Sequence, residues 1–256
     1  MSNRIYTELK DIEQKKNIKI ILAVEVGSRI YGYMMPGSDY DVRFIYVRKP
    51  EDYLKLTKSK DTIEIKKDDL DIIGWDLKKA LELLYNSNAS LYQWFMSPKV
   101  HIETEESIEL RKLLPKYFSL KKMLYQYTSM AYNAFPEPCE LEETVIIKNY
   151  LRKIHSIMIA QYIAKHESIP PITFDALLPV NTFFTPSAKE RIKDIISLRH
   201  SKRKIMPTDM LLNHKYVSDM LFELDEYIHM IKHEKKDWCD LNKFFAEVVL
   251  KEVRKT

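Results

Sequence analysis

The sequence predicts an α+β protein: an N-terminal mixed sheet with flanking helices over residues 1–103, then an all-helical domain over residues 104–256 that closes one side of a cleft. Three observations predict it. Apolar runs of strand length and alternation are confined to the first hundred residues or so. From about residue 104 the apolar residues recur at threes and fours to the end. All four glycines, Gly27, Gly32, Gly37 and Gly74, precede that change, leaving a glycine-free remainder suited to helices. The boundary is a shift in composition, without a linker, internal repeat or low-complexity tract.

Taken in order, Ile5, Leu9 and Ile12 stand at helical spacing within residues 4–16, which end in Lys15, Lys16 and Asn17. Ile18 to Val26 is β-branched and almost wholly apolar, as a buried central strand requires, and stops at Gly27-Ser28. Residues 29–38, with two glycines and a proline, make a tight connection. Asp39 to Val47 then alternates as a second strand with Asp39, Asp41 and Arg43 on one face. Thr62–Lys66 and Leu70–Ile73 are two further strands. Asp76 is the expected N-cap of a helix burying Leu77, Ala80, Leu81 and Leu84. Asn86-Ser87-Asn88 breaks that helix, and an aromatic one with Leu91, Trp94 and Phe95 ends at Ser97-Pro98. Beyond it, helical segments over 105–114, 118–135, 140–165, 187–199 and 215–233 are separated by proline-containing joints.

Composition narrows the class of protein. Hydrophobic residues at 45% and charged residues at 30% describe a globular chain, with no apolar run of membrane length. The opening MSNRIYTELKDIEQKK is charged and amphipathic, unlike a secretion signal, so the cytoplasm is the expected location. Two cysteines make neither a disulfide framework nor a metal-ligand spacing. A net charge of +4 permits an anionic partner without requiring one.

The chemistry concentrates around the glycines. Residues i and i+2 of a strand point the same way, so Asp39 and Asp41 can converge on one or two Mg²⁺ (or Mn²⁺) ions. A third carboxylate from a neighbouring strand would complete the site, and Asp71 is the candidate, with Asp69, of the same parity, as the fallback. Gly27 at a strand end lets backbone approach phosphate oxygens, and Ser28 adds a hydroxyl. Arg29 and Arg43 can contact phosphate or form salt bridges that orient the aspartates, and parity places Arg43 beside them.

On these residues a family resemblance appears. The run GSRIYGYMMPGSDYDVRFIYV resembles the Gly-Ser, ten-residue gap, Asp-x-Asp signature of the DNA polymerase β-like nucleotidyltransferases. Together with Asp71-Ile-Ile-Gly-Trp-Asp-Leu it is similar, more narrowly, to the bacterial and phage branch that includes RNA-ligase-associated, RNA repair polymerases. The resemblance covers most of the first hundred residues, implying a nucleotidyltransferase catalytic domain there and a helical domain on the nucleotide cleft. It implies transfer of a nucleoside monophosphate from a nucleoside triphosphate to an acceptor hydroxyl, with release of pyrophosphate, and it favours Asp71 over Asp69. Lys148-Asn-Tyr150-Leu resembles a lysine-tyrosine helix of the same branch, implying a nucleotide contact at Lys148; where that pattern has an arginine one turn on, this chain has His155.

Three readings follow: an RNA end as acceptor, as the resemblance implies; a protein hydroxyl on a partner such as a toxin, an AMPylation-type reaction; or no acceptor, the chain being a non-catalytic nucleotide-binding module. The clusters Lys121-Lys122, Lys202-Arg203-Lys204 and Lys235-Lys236 could track an RNA backbone, though short basic runs usually serve as solvated surface. His229 and His233 stand one helical turn apart, but the residues between them lack the metalloprotease glutamate and no third zinc ligand is evident.

Overall fold

The computed structural model describes residues 1–133, 143–200, 214–232 and 235–253. They form two compact units, neither continuous in sequence: Met1–Gly27, Asp39–Tyr117 and Lys235–Thr256 in the first, Ser28–Ser38 and Phe118–Glu234 in the second.

The first unit is built on a five-stranded mixed sheet. Its strands are β1 (Ile18–Val26), β2 (Tyr40–Arg48), β3 (Thr62–Lys67), β4 (Leu70–Asp76) and β5 (Val100–Glu103), in the order β3-β4-β2-β1-β5. β1 lies antiparallel to β2 and β5, β3 antiparallel to β4, and β2 parallel to β4. The registers pair Val26 with Asp41, Asp41 with Asp71, and Asp71 with Lys66, a single row across four strands on one face. The row below it runs Val24, Arg43, Ile73 and Glu64.

Helix α1 (Ser2–Lys16) covers the other face. Its Ile5, Leu9 and Ile12, one stripe of a 3.6-residue repeat, are buried with Ile20, Ala23, Val42, Phe44, Tyr46, Leu70 and Ile72. Each isoleucine, leucine, valine or phenylalanine among them contributes about 1.5–3 kcal/mol when taken from water, so this face anchors the sheet. Asn17 in the left-handed region (φ 52°) ends α1 by donating its backbone N–H to the carbonyls of Glu13 and Gln14. Gly74 serves packing in this layer: a Cβ there would lie 2.1 Å from the Phe44 ring, its partner in the β2–β4 register.

On the face of Asp41 and Asp71, α4 (Leu77–Tyr85) and α5 (Ala89–Phe95) pack on the strands, with Trp94 of α5 stacked on Trp75 of β4 at 3.8 Å. The expected N-cap is present: Asp76 accepts from Lys78 N at 2.9 Å, and Leu77, Ala80, Leu81 and Leu84 are buried.

Several short or late elements differ from the sequence expectation. The four residues of β5 carry too little alternation to register as a strand, and pairing with β1 supplies what pattern does not. The single turn α3 (Pro50–Tyr53) starts at a proline already set for a helix. In the second unit, α9 (Phe174–Val180) is a helix within what the sequence reads as a proline-containing joint, capped by Thr173 accepting from Ala176 N. α12 (Cys239–Val253) lies beyond the last predicted segment.

The boundary at residue 103 does not coincide with the compact units. α6 (Glu105–Tyr117) and α12 belong with the sheet: Lys116 pairs with Asp240, Tyr117 Oη donates to the Asp237 carbonyl at 3.0 Å, and Tyr85 stacks on Trp238 at 3.7 Å. The change from strand to helix patterning therefore marks the end of the sheet, not of the unit.

In the second unit, α7 (Leu120–Asn133) packs on α8 (Glu143–His166) and α11 (His214–Met230), with α9 also on α8 and α10 (Pro186–His200) completing its helices among the described residues. It includes Ser28–Ser38, which begins with the four-residue α2 (Ser28–Tyr31). Among the described residues no helix is long and apolar enough to cross a membrane.

Candidate active site

Adjacent strands bring two carboxylates together. Arg43, one row down from both, donates from Nη2 to Asp41 Oδ1 at 3.0 Å and to Asp71 Oδ2 at 2.9 Å. Its Nη1 donates to the carbonyls of Asp71 (2.8 Å) and Val42 (3.0 Å), so the guanidinium is fixed in orientation as well as position. Arg43 is 13% exposed, Asp41 29% and Asp71 35%, so the arginine forms the floor and the carboxylates open to solvent. Asp71 Oδ1 receives no hydrogen bond from a described residue. Arg43 makes salt bridges to both aspartates, one of the two roles open to it in the sequence.

Gly27 follows β1 with φ +78°, and a Cβ at that position would lie 2.1 Å from Asp41 Oδ2. Any side chain would displace the carboxylate as well as strain the backbone. The glycine thus makes room for Asp41, a use the sequence does not reveal.

Asp69 is placed differently from Asp71 despite equal parity. Arg4 of α1 donates to Asp69 Oδ1 at 2.6 Å and to Asp68 Oδ2 at 2.9 Å, where β3 turns into β4 through Asp68-Asp69, with Asp68 at φ 52°. Asp39 stands one residue before β2 and is exposed. Among the described residues no group of three or more histidines, cysteines, aspartates or glutamates is gathered tightly enough to hold a metal ion. Two converging carboxylates nevertheless suit Mg²⁺, which commonly takes one or two carboxylates and fills its remaining positions with water and substrate phosphate.

Ser28 and Arg29 open the segment that belongs to the second unit. Arg29 donates from Nε (3.1 Å) and Nη2 (2.5 Å) to the Ser38 carbonyl, closing the ends of the Ser28–Ser38 loop on each other. Tyr31 and Tyr33 fasten the loop within its unit: Tyr31 stacks on His155 at 4.6 Å, Tyr33 meets Phe174 edge-on at 5.6 Å, and Arg199 Nε donates to the Tyr33 carbonyl at 2.7 Å. His155, where the resembling pattern has an arginine, is buried, its Nε2 2.7 Å from the Ile172 carbonyl. Burial holds its pKa down at about 4, partly opposed by that carbonyl. It is a neutral packing residue under the loop. Lys148 on α8 is exposed.

His233 and Lys202-Arg203-Lys204 lie outside the described residues. Of the other basic clusters, Lys121 donates to the Ile231 carbonyl and Lys236 to the Lys116 carbonyl, serving helix ends. The placement of Lys66 beside Asp71 has no counterpart in the sequence expectations, although counting back across the two-residue turn pairs 66 with 71.

The chain is similar to known proteins over most of its length. The family described as the RNA repair pathway DNA polymerase beta family (RlaP) matches residues 1–247. A Bacillus subtilis (strain 168) protein with the name Uncharacterized protein YcgL is 35% identical over 253 residues, covering 97% of this chain and 96% of that protein. Among solved structures, a nucleotidyltransferase-like protein from Exiguobacterium sibiricum 255-15 aligns over 88% of this chain and 74% of its own at 12% identity, with a TM-score of 0.30.

Proposed function

We propose a function from the premise that this chain belongs to the RNA repair pathway DNA polymerase beta family and is a polymerase β-like nucleotidyltransferase: it transfers a nucleoside monophosphate from a nucleoside triphosphate to a hydroxyl on RNA, as a cytoplasmic, metal-dependent enzyme. The observation that carries the proposal is the convergence of Asp41 and Asp71, from neighbouring strands, on one Arg43 nitrogen beside the glycine that leaves Asp41 its room.

Asp41 and Asp71 would hold Mg²⁺ or Mn²⁺, which when bound would supply charge neutralisation to the triphosphate and acidity to the acceptor hydroxyl. Arg43 holds the two carboxylates in orientation and offsets part of their repulsion. Asp71, whose Oδ1 accepts no bond from a described residue, takes the acceptor's proton. The acceptor oxygen then bonds to the α-phosphorus in line as the bond to the β-phosphate oxygen breaks, and pyrophosphate leaves. Gly27 and Ser28 receive the outer phosphates, and Arg29 acts by closing the loop that begins at Ser28.

The test incubates the purified full chain with labelled nucleoside triphosphates, Mg²⁺ or Mn²⁺, and either total RNA or cell lysate. Label in RNA, abolished by Asp41→Ala, supports the proposal. Label in protein alone would reassign the acceptor to a partner protein. No label in either fraction, from a chain that still binds nucleotide, would leave a binding module and defeat it.

A further inference from the structure

Lys66 stands at the edge end of the row Val26, Asp41, Asp71, Lys66, on the face of the carboxylates. Strands in a sheet lie about 4.8 Å apart, so its backbone is one strand spacing from Asp71 and two from Asp41. It is exposed, and β3 is the outermost strand, so one side of the residue faces solvent.

Its neighbours are committed. Lys67 pairs with Glu8 at 2.7 Å on the α1 side, Lys79 with Asp61 at 2.9 Å, and Arg4 with Asp68 and Asp69. Lys66 makes no ion pair with any described residue, although Asp71 lies directly across from it and Glu64 is two residues away on the same face. The Asp71 oxygen in use is taken by Arg43. A lysine on a flexible four-carbon stem, beside a carboxylate pair proposed to handle phosphate, suits a mobile contact to a phosphate group better than a fixed one.

We propose that Lys66 is a phosphate-binding residue of this site, reaching from the sheet edge to a backbone phosphate of the RNA acceptor. The proposal rests on the nucleotidyltransferase function proposed above and adds the side from which the acceptor approaches: across β3, past the edge of the sheet. A phosphate of the nucleoside triphosphate offers the same chemistry, so the experiment separates the two. An edge lysine can also serve only to discourage pairing with another strand, and that is the alternative to be defeated.

Wild type, Lys66→Glu, Lys66→Gln and Lys66→Arg are compared in steady-state transfer, varying RNA and nucleoside triphosphate separately. In parallel, equilibrium titrations use a single-stranded RNA oligonucleotide and a nucleoside triphosphate with Mg²⁺. Lys66→Glu should raise KM and Kd for RNA about tenfold or more with the nucleotide constants within about twofold, and Lys66→Arg should retain wild-type values. Lys66→Gln should flatten the slope of log K against log salt for RNA by about 0.7, the loss of one single-strand phosphate contact. An effect confined to the nucleotide constants keeps Lys66 as a phosphate ligand and assigns it to the triphosphate. Wild-type behaviour of Lys66→Glu in both titrations overturns the proposal, leaving the edge-guarding role. If the wild-type chain transfers to no acceptor, the enzymatic function falls, and the two titrations still decide on Lys66.

Discussion

Strands β2 and β4 carry an arginine and acidic groups at each of their ends, and the two clusters use the same side chains differently. At the end nearest Gly27, Arg43 lies between Asp41 and Asp71, and both carboxylates are about a third exposed (29% and 35%). At the far end and on the opposite face, Arg48 lies 3.3 Å from Asp76, which is 6% exposed, and Tyr46, Tyr53 and the Lys60 carbonyl complete the set. Asp76 is fully occupied: Oδ1 caps α4 and Oδ2 faces Tyr53 Oη and Arg48. Burial raises the pKa of Asp76 and of Tyr53, and brings Tyr46 to about 12. An arginine–aspartate pair is therefore no mark of a reactive site by itself. What sets the Arg43 cluster apart is that its carboxylates open toward solvent, held by an arginine that is itself fixed, next to backbone that makes room.

The largest expected effect separates the two ends. Asp41→Asn and Asp71→Asn should each lower kcat for nucleotidyl transfer by about 10³-fold or more while the thermal midpoint stays within a few degrees, since oxygen donors positioned for the transition state are lost from a half-open pair. Loss of folding in both variants would place this cluster with its far-end counterpart.

Asp76→Ala should do the reverse. It removes an N-cap and leaves Arg48 without its carboxylate, and stability should fall by about 3–4 kcal/mol in denaturant titration, with transfer per folded molecule near wild type. A loss of turnover in folded protein would show that the far end communicates with the carboxylates.

A third buried polar group, His155 in the second unit, extends the comparison to pH. Its folded pKa of about 4 lies below the ordinary 6.5, so the unfolded chain takes up a proton that the native one refuses. Stability is therefore complete above about pH 6.5 and is lost as pH falls toward 4. Between pH 7.5 and 5 the loss should be about 2 kcal/mol, measured by denaturation at each pH, and His155→Gln should flatten that dependence. A wild-type profile that is flat over this interval would contradict the burial of a neutral imidazole.

How much of this is legible in the sequence depends on whether a feature is local. The α1 stripe, the strand of Ile18–Val26, the Asp76 cap and the shared face of Asp41 and Arg43 each follow from periodicity or capping within a dozen residues, and the structure shows them. What the sequence does not reveal is set by partners far along the chain. β5 exists because β1 accepts it, α12 joins the sheet through contacts such as Asp240 with Lys116, and Gly74 is required by the Phe44 ring. His155 looks like a departure in a nucleotide-binding helix, and its contact with Ile172 and stacking on Tyr31 make it a core residue instead.

The same limit governs Asp69 and Asp71, which parity treats as equals. Arg4, 65 residues upstream of Asp69, distinguishes them by taking Asp69 into an exposed ion pair in which both side chains are 39% exposed, while Asp71 faces Asp41 and Arg43. Exposed pairs of this kind contribute about 0–1 kcal/mol, because solvent screens the charges and both side chains lose freedom. Asp69→Asn should accordingly change stability by less than about 1 kcal/mol and leave kcat unchanged, the smallest effect in the series, set against the loss expected of Asp71→Asn two residues away. If kcat instead fell in Asp69→Asn and held in Asp71→Asn, the third carboxylate would be Asp69, and the Arg43 bridge would serve the fold as Arg48 does.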